Sequence, residues 1–258
     1  MISRRKLISL TAGLGALAPL AGVIRSARAD TGTASAPSHG EHPSDSHGET
    51  ASRGYAPVKT LNGWTLPFTM KNGVKEFHLV AEEIEHEFAP GCVAKCWGYN
   101  GTTPGPTIEA VEGDRVRIHV TNRLPEHTSV HWHGILLPSD MDGVGGLSQP
   151  HIKPGETYVY EFTLKQHGTH MYHPHADATV HIAAGTMATL IIHPNVGVTT
   201  AVDRDYCFLL HHCALHPRTY LPDPSTLPHF DQWTSNSQPF PAHAASLARP
   251  DGPWRHAA

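Results

Sequence analysis

The 258-residue chain lacks an excess of positive charge, a long apolar run and a sustained helical pattern. Its net charge is −4 with neutral histidine, so composition predicts no basic surface for nucleic acid or anionic lipid. No apolar run reaches the roughly 20 residues that a membrane-spanning helix needs. We therefore expect small-molecule partners, with neither nucleic acid nor a membrane among them.

Cysteine is also scarce, whereas histidine is abundant. Spacing alone leaves open whether the four cysteines, Cys92, Cys96, Cys207 and Cys213, form disulfides or remain thiols. The 22 histidines outnumber the 19 lysines and arginines, which is an excess of imidazole ligands over ordinary solvating charge. This composition favours a protein that handles transition metals.

Residues 1–29 have the features of an export signal. Arg4 and Arg5 precede a modest apolar run, and Ala27-Arg28-Ala29 resembles a small-residue cleavage site. Paired arginines are typical of the twin-arginine route, which predicts a periplasmic protein. The alternative, a short membrane anchor, is disfavoured because Gly and Pro interrupt the run. Residues 30–54 are rich in Ser, Gly, Pro and His and are expected to form a flexible linker.

From Tyr55 onward the chain has the pattern of many short strands. Val116, Ile118 and Val120 alternate with polar residues, and turn signals such as Asn72-Gly73 separate one run from the next. Similar strand patterns occur near residues 75–84, 108–122, 129–137, 157–164, 168–175 and 187–193. They predict an all-β Greek-key sandwich.

Two His-x-His pairs lie within this predicted sandwich. Residues i and i+2 of a strand point to the same face, about 6.5 to 7 Å apart. His131 and His133 therefore form one pair of imidazoles, and His173 and His175 form another. If the two strands are neighbours, four rings converge on one place, which suits a first-row transition metal such as copper better than proton transfer.

The order of several motifs resembles the first cupredoxin domain of multicopper oxidases. The resemblance covers residues 55 to about 194, and its main motifs are Pro104-Gly105-Pro106-Thr107, Glu112-Gly113-Asp114, His131-Trp132-His133-Gly134, Asp142-Gly143, Pro154-Gly155-Glu156 and Tyr172-His173-Pro174-His175. It implies a cupredoxin domain at residues 55–195 that supplies four of the eight imidazoles of a trinuclear copper cluster. By motif position, His131 would bind the type 2 copper, and His133, His173 and His175 would bind the type 3 pair.

The resemblance also implies an activity and its partners. Family members are oxidoreductases that couple one-electron oxidation of phenols or metal ions to the reduction of dioxygen to water. Some two-domain members carry a type 1 copper in this domain, with a Cys between the second pair of His. Pro174 stands at that position here, so no type 1 site is expected, and His181 is expected to be a packing or surface residue.

Residues 196–258 resemble the start of a second cupredoxin-like domain that is incomplete and ends in a disordered tail. The family motifs that carry the remaining ligands, His-Pro-x-His-Leu-His and His-Cys-His, are absent from the sequence. We therefore expect a truncated chain that is active only if a homo- or hetero-oligomer completes the site. A late cluster of His211, His212, Cys213 and His216 departs from the family pattern, and metal binding there is the less favoured interpretation.

Three hypotheses remain open at this point. The chain is the amino-terminal part of a laccase-like or copper-resistance oxidase, or a non-catalytic periplasmic module that binds or buffers copper, or a decayed gene product. The first is favoured, with dioxygen and a small reducing substrate as partners. Oxygen consumption with a phenolic substrate and copper would distinguish it from the second, since activity that appears only with a partner supports the oxidase and copper binding without turnover supports the module.

Overall fold

The computed structural model describes residues 55–196, 204–213 and 232–239, and strands dominate these ranges. The described elements are β1 (Lys59–Thr60), β2 (Thr69–Lys71), β3 (Val74–Ala89), β4 (Cys92–Tyr99), β5 (Ile108–Val111), β6 (Arg115–Asn122), β7 (His131–His133), a 3₁₀ turn (Ser139–Met141), β8 (Thr157–Thr163), β9 (Gly168–His173), α1 (Ala178–Ala184), β10 (Ala188–His193), β11 (Tyr206–Cys207), β12 (Leu210–Cys213), β13 (Gln232–Ser235) and β14 (Gln238–Pro239).

Two mixed sheets form a sandwich. One has the order β2-β3-β6-β8, with β4 paired to the second half of β3, and the other has the order β5-β10-β9-β7. The pairs β3–β6 and β5–β10 are parallel, so the chain crosses between sheets rather than running as a simple meander. The described residues therefore form an all-β sandwich, as the alternating sequence predicts.

Alternating residues of the central strands meet in one core. Phe77, Ile118 and Tyr160 come from the first sheet and are almost completely buried, as are Trp132 and Leu190 from the second. The Trp132 ring meets the Tyr160 ring edge to face, with 5.3 Å between their centroids. This aromatic contact ties the strand that carries the first histidine pair to the opposite sheet.

Local sequence signals explain several element boundaries. Asn72 and Gly73 both have positive φ, 51° and 77°, and they form the tight turn that joins β2 to β3. The predicted strand at 75–84 extends to Ala89 because its second half pairs with β4. The strand predicted at 129–137 is shorter, since only His131–His133 pairs with β9.

Helix α1 is an element that strand periodicity did not predict. It is seven residues long, follows Asp177 in a left-handed conformation without a side-chain cap, and ends at Gly185, whose φ is 114°. A β-carbon on Gly185 would lie 2.9 Å from the carbonyl oxygen of Trp97. The helix therefore packs closely against β4, and its length is too short to give a helical sequence pattern.

None of the described cysteine side chains, Cys92, Cys96 and Cys207, forms a disulfide. Cys92 and Cys96 lie four residues apart on one strand, about 13 Å, which is beyond disulfide reach. Within the described ranges, no helix is long and apolar enough to cross a membrane. The predicted signal at 1–29, the linker at 30–54 and the tail fall outside those ranges.

Candidate metal centre

The first histidine pair lies on β7, at the edge of the second sheet, and the second pair lies at and just after the end of the neighbouring strand β9. β7 and β9 are antiparallel, and His131 is directly opposite His173. Trp132 and Tyr172 point into the core between them and are fully buried. Because side chains alternate along a strand, burial of these aromatics directs the imidazoles of His131, His133 and His173 to the opposite face.

The imidazoles converge because β7 and β9 are neighbours. The ring of His131 lies 5.4 Å, between centroids, from each of the rings of His133, His173 and His175. One ligand atom from each of His131, His133 and His173 lies within 4.8 Å of the other two. His175 follows the end of β9, is exposed, and lies beside His131 at the rim of this cluster.

Backbone carbonyls orient two of these rings. His131 donates from Nδ1 to the carbonyl oxygen of Asp142 at 2.6 Å, and His173 donates from Nδ1 to that of Pro174 at 2.9 Å. A carbonyl oxygen can only accept, so each Nδ1 carries the proton and each Nε2 keeps its lone pair. Such a partner for the second ring nitrogen is typical of metal-binding histidines, whose tautomer it determines.

The spacing of the nitrogens fits a metal ion. His133 Nδ1 and His173 Nε2 are 3.1 Å apart. Metal–imidazole bonds of about 2.0 Å allow two ligands of one ion to lie up to about 4 Å apart. An ion between these nitrogens would replace the proton that they share. The donor set, all imidazole and partly exposed, suits copper.

Electrostatics keep the most buried of these rings neutral. Burial lowers the pKa of His173, and the neighbouring His131, His133 and His175 lower it further, against the opposing hydrogen bond to Pro174. Only a neutral imidazole has a lone pair for a metal. At neutral pH, therefore, His173 is in the state that ligation requires.

The Asp142-Gly143 motif supports His131 through the backbone. Gly143 has φ of 82°, and a β-carbon there would lie 1.8 Å from the carbonyl oxygen of Val130. This close approach brings the Asp142 carbonyl to His131 Nδ1, and Asp142 Oδ1 lies 3.4 Å from the same nitrogen. The sequence contains the motif but does not show this role, because the contact joins positions eleven residues apart.

His181 is a packing residue. This agrees with the expectation from Pro174, which stands where a type 1 site would have its cysteine. His181 is 1% exposed, and its ring meets the Trp97 ring edge to face at 4.8 Å. Its Nδ1 is buried without a hydrogen-bond partner among the described groups. Of the late cluster, His211 and His212 lie on β12, the side chain of Cys213 is not described, and His216 falls outside the described residues.

Fold and site together define a cupredoxin-like β-sandwich with a histidine cluster on one sheet edge. Residues 81–196 match the family model described as "Multicopper oxidase". The match includes all four histidines of the two pairs, and it agrees with the resemblance that the motifs indicate.

Individual relatives agree with this assignment. Copper resistance protein A of Escherichia coli is 45% identical over 111 residues, which is 43% of this chain and 18% of that protein. L-ascorbate oxidase of Brassica rapa subsp. pekinensis is 41% identical over 132 residues, 49% of this chain and 22% of that protein. The chain thus spans about a fifth of the length of these relatives.

Solved structures show the same fold. A multicopper oxidase from Pseudomonas thermotolerans superposes with a TM-score of 0.60 at 29% identity, over 64% of this chain and 42% of that one. Another multicopper oxidase gives a TM-score of 0.58 at 31% identity, over 70% of this chain and 60% of that one.

Proposed function

We propose that His131, His133, His173 and His175 bind copper and supply half of the ligands of a trinuclear cluster. The observation that carries this proposal is the convergence of three imidazole nitrogens within 4.8 Å on adjacent strands. By motif position, His131 belongs to the type 2 copper, and the other three belong to the type 3 pair. Copper in such a cluster supplies one-electron redox chemistry toward dioxygen.

The chain's own residues prepare this site. The carbonyls of Asp142 and Pro174 hold protons on Nδ1 of His131 and His173, which directs Nε2 of both rings to the cluster. Trp132 and Tyr172 anchor both strands in the core. The rings are therefore preorganised, and little conformational entropy remains to be lost when metal binds.

As an oxidoreductase, the protein would couple oxidation of phenols or metal ions to reduction of dioxygen to water. The cupredoxin domain is assigned to residues 55–195 and the start of a second domain to residues 196–258. The four imidazoles in the first domain make half a cluster, so the remaining ligands and a type 1 site must come from a further domain or subunit. The proposal includes export to the periplasm, with residues 1–29 as the signal.

Copper retention tests the site. The full chain is loaded with Cu(II), desalted, and analysed for bound metal beside the double variant His131→Ala/His133→Ala. We expect the wild type to retain copper and the variant to lose most of it, with an unchanged circular dichroism spectrum. The control His78→Ala/His119→Ala removes two stacked histidines from the other sheet and should retain wild-type copper. Equal copper in both variants would contradict the proposal.

A non-catalytic copper-binding module is the second candidate. It is favoured by Pro174, which stands between the second pair of histidines where a type 1 copper site would need a thiolate. Oxygen consumption with a phenolic substrate separates the two candidates. Copper binding without turnover, both alone and with a supplied second domain, would favour the module, whereas turnover on adding that domain would favour the oxidase.

A further inference from the structure

A methionine continues the face on which the histidine cluster lies. Met171 is directly opposite His133 in the β7–β9 pair, just as His173 is opposite His131. Residues directly opposite in an antiparallel pair project to the same face, with β-carbons about 4.5 to 5.5 Å apart. The face therefore carries two adjacent cross-strand pairs, one of two imidazoles and one of an imidazole and a thioether.

This second pair borders a groove beside the cluster. The groove has a volume of about 340 Å³, and it is lined by Met171, Thr169 and Thr189 from the sheet and by His133 and Gly134 at the end of β7. Phe208 and Leu209, from the segment after the sandwich, form its other wall. The groove is open to solvent on one side, and the thioether is partly exposed.

His170 and Gly134 border the His133 side of this groove. Gly134 has a φ of 78°, and His170 Nδ1 lies 3.4 Å from the position that a β-carbon there would occupy. The chain therefore turns directly after His133, beside the groove.

We propose that Met171 and His133 form a docking site for Cu(I) at this groove, beside the histidine cluster. A thioether is a soft ligand that selects Cu(I) over harder divalent ions, and imidazole is a compatible partner. The apolar wall of Phe208 and Leu209 suits a weakly hydrated monovalent ion. The inference rests on the proposed function, because His133 is shared with the cluster that would hold copper.

The site is tested with the full chain labelled at its methionine methyl groups with ¹³C. Ag(I), a redox-inert substitute for Cu(I), is added while the methyl signals are followed, and the signal lost in Met171→Leu assigns Met171. We expect the Met171 signal to shift in the course of the titration, whereas that of Met70, which is 55% exposed and opposite Lys75, stays in place. An unmoved Met171 signal would overturn the inference.

Measurements of Cu(I) affinity provide a second test of the site. Competition with a chromogenic Cu(I) chelator under anaerobic reducing conditions should show at least about tenfold weaker Cu(I) binding in Met171→Leu and unchanged binding in Met70→Leu. Cu(II) retention should be the same in both variants. Equal Cu(I) affinity of the two variants would overturn the inference.

The variant His131→Ala separates this site from the cluster. It removes one cluster ligand and keeps both groove ligands, so the Met171 shift with Ag(I) should persist. Loss of that shift would mean that Met171 only senses the cluster, which overturns the inference. If the wild type shows the Met171 shift but retains no Cu(II), the proposed function fails and the Cu(I) site stands.

Discussion

At the scale of single residues, a glycine determines how well His131 is placed. Gly143 has positive φ and no space for a β-carbon, because the Val130 carbonyl oxygen would be 1.8 Å away. The neighbouring Asp142 carbonyl accepts the His131 Nδ1 proton. Any side chain at position 143 must therefore push the loop away from the strand and remove the group that orients the ring.

Gly143→Ala tests this close approach. We expect the free energy of unfolding to fall by about 2–3 kcal/mol, through backbone strain and displacement of the loop. Gly73→Ala is the matched control, since Gly73 has a similar φ of 77° with nothing within 4 Å of a β-carbon. It should cost only about 1 kcal/mol. Chemical denaturation measures both, and equal losses would show that the contact with Val130 is unimportant.

The buried ring of His181 predicts a loss of stability in acid. Burial lowers its pKa, with a further lowering from His127, while Glu126 and Asp177 act in the opposite direction. Because the unfolded chain binds this proton more readily, the free energy of unfolding should fall as pH drops below about 6.5. In metal-free buffer, His181→Phe keeps a ring against Trp97. Its free energy of unfolding should fall less steeply with decreasing pH than that of the wild type. Parallel pH profiles of the two proteins would contradict this.

At the scale of elements, an arginine joins three strands on the outer face of the first sheet. Arg117 on β6 lies opposite Glu76 on β3 and Glu161 on β8, and it forms salt bridges with both carboxylates. These hydrogen bonds lower the pKa of Glu76 and of Glu161. A planar guanidinium can donate to two acceptors at once, which a lysine ammonium at one point cannot do equally well.

Arg117→Lys should lower the melting temperature at neutral pH. Both carboxylates have lowered pKa values when folded, so their contribution is present above about pH 4.5 and is lost as pH falls through the folded values. The difference from wild type should therefore shrink in acid. Arg123→Lys, which alters an exposed arginine with a 3.4 Å contact to Glu82, should change little at any pH. Differential scanning calorimetry measures all three proteins, and a pH-independent difference would argue against the pairing.

At the scale of the whole molecule, Asn236 connects the segment after the sandwich to its beginning. Its side-chain Nδ2 donates to the carbonyl oxygens of Leu61 at 2.7 Å and Cys207 at 3.2 Å, and its Oδ1 accepts from the Leu209 backbone at 2.7 Å. It is 2% exposed. Three stretches of chain thus meet at one buried amide, which also positions the groove wall at Leu209.

Asn236→Asp keeps the shape and removes both Nδ2 donors. We expect residues 204–213 to exchange amide hydrogens faster, with a loss of about 1–3 kcal/mol, because a buried carboxylate would then face two carbonyl oxygens. Hydrogen exchange read by mass spectrometry gives the local effect. Asn100→Asp, at the surface turn before Gly101, is the control. Unchanged exchange in 204–213 would show that other contacts hold the segment.

The sequence by itself determined the strand pattern, the family and the ligand candidates. Period-2 alternation at Val116, Ile118 and Val120 is a local property, and so is the projection of His131 and His133 to one face. Both follow from strand geometry without knowledge of partners. The Asn72-Gly73 turn was predicted for the same reason, since positive φ is a property of those two residues.

Only the tertiary structure decided which strands are neighbours, and this placed the functional groups. The pairing of β7 with β9 brings His131 opposite His173 and, equally, Met171 opposite His133. The Asp142 carbonyl and the Gly143 approach depend on a loop folding back over β7. These contacts join residues 11 to 42 positions apart. The periodicity of the sequence does not predict them, because side-chain spacing indicates that a segment is a strand but not which strand pairs with it.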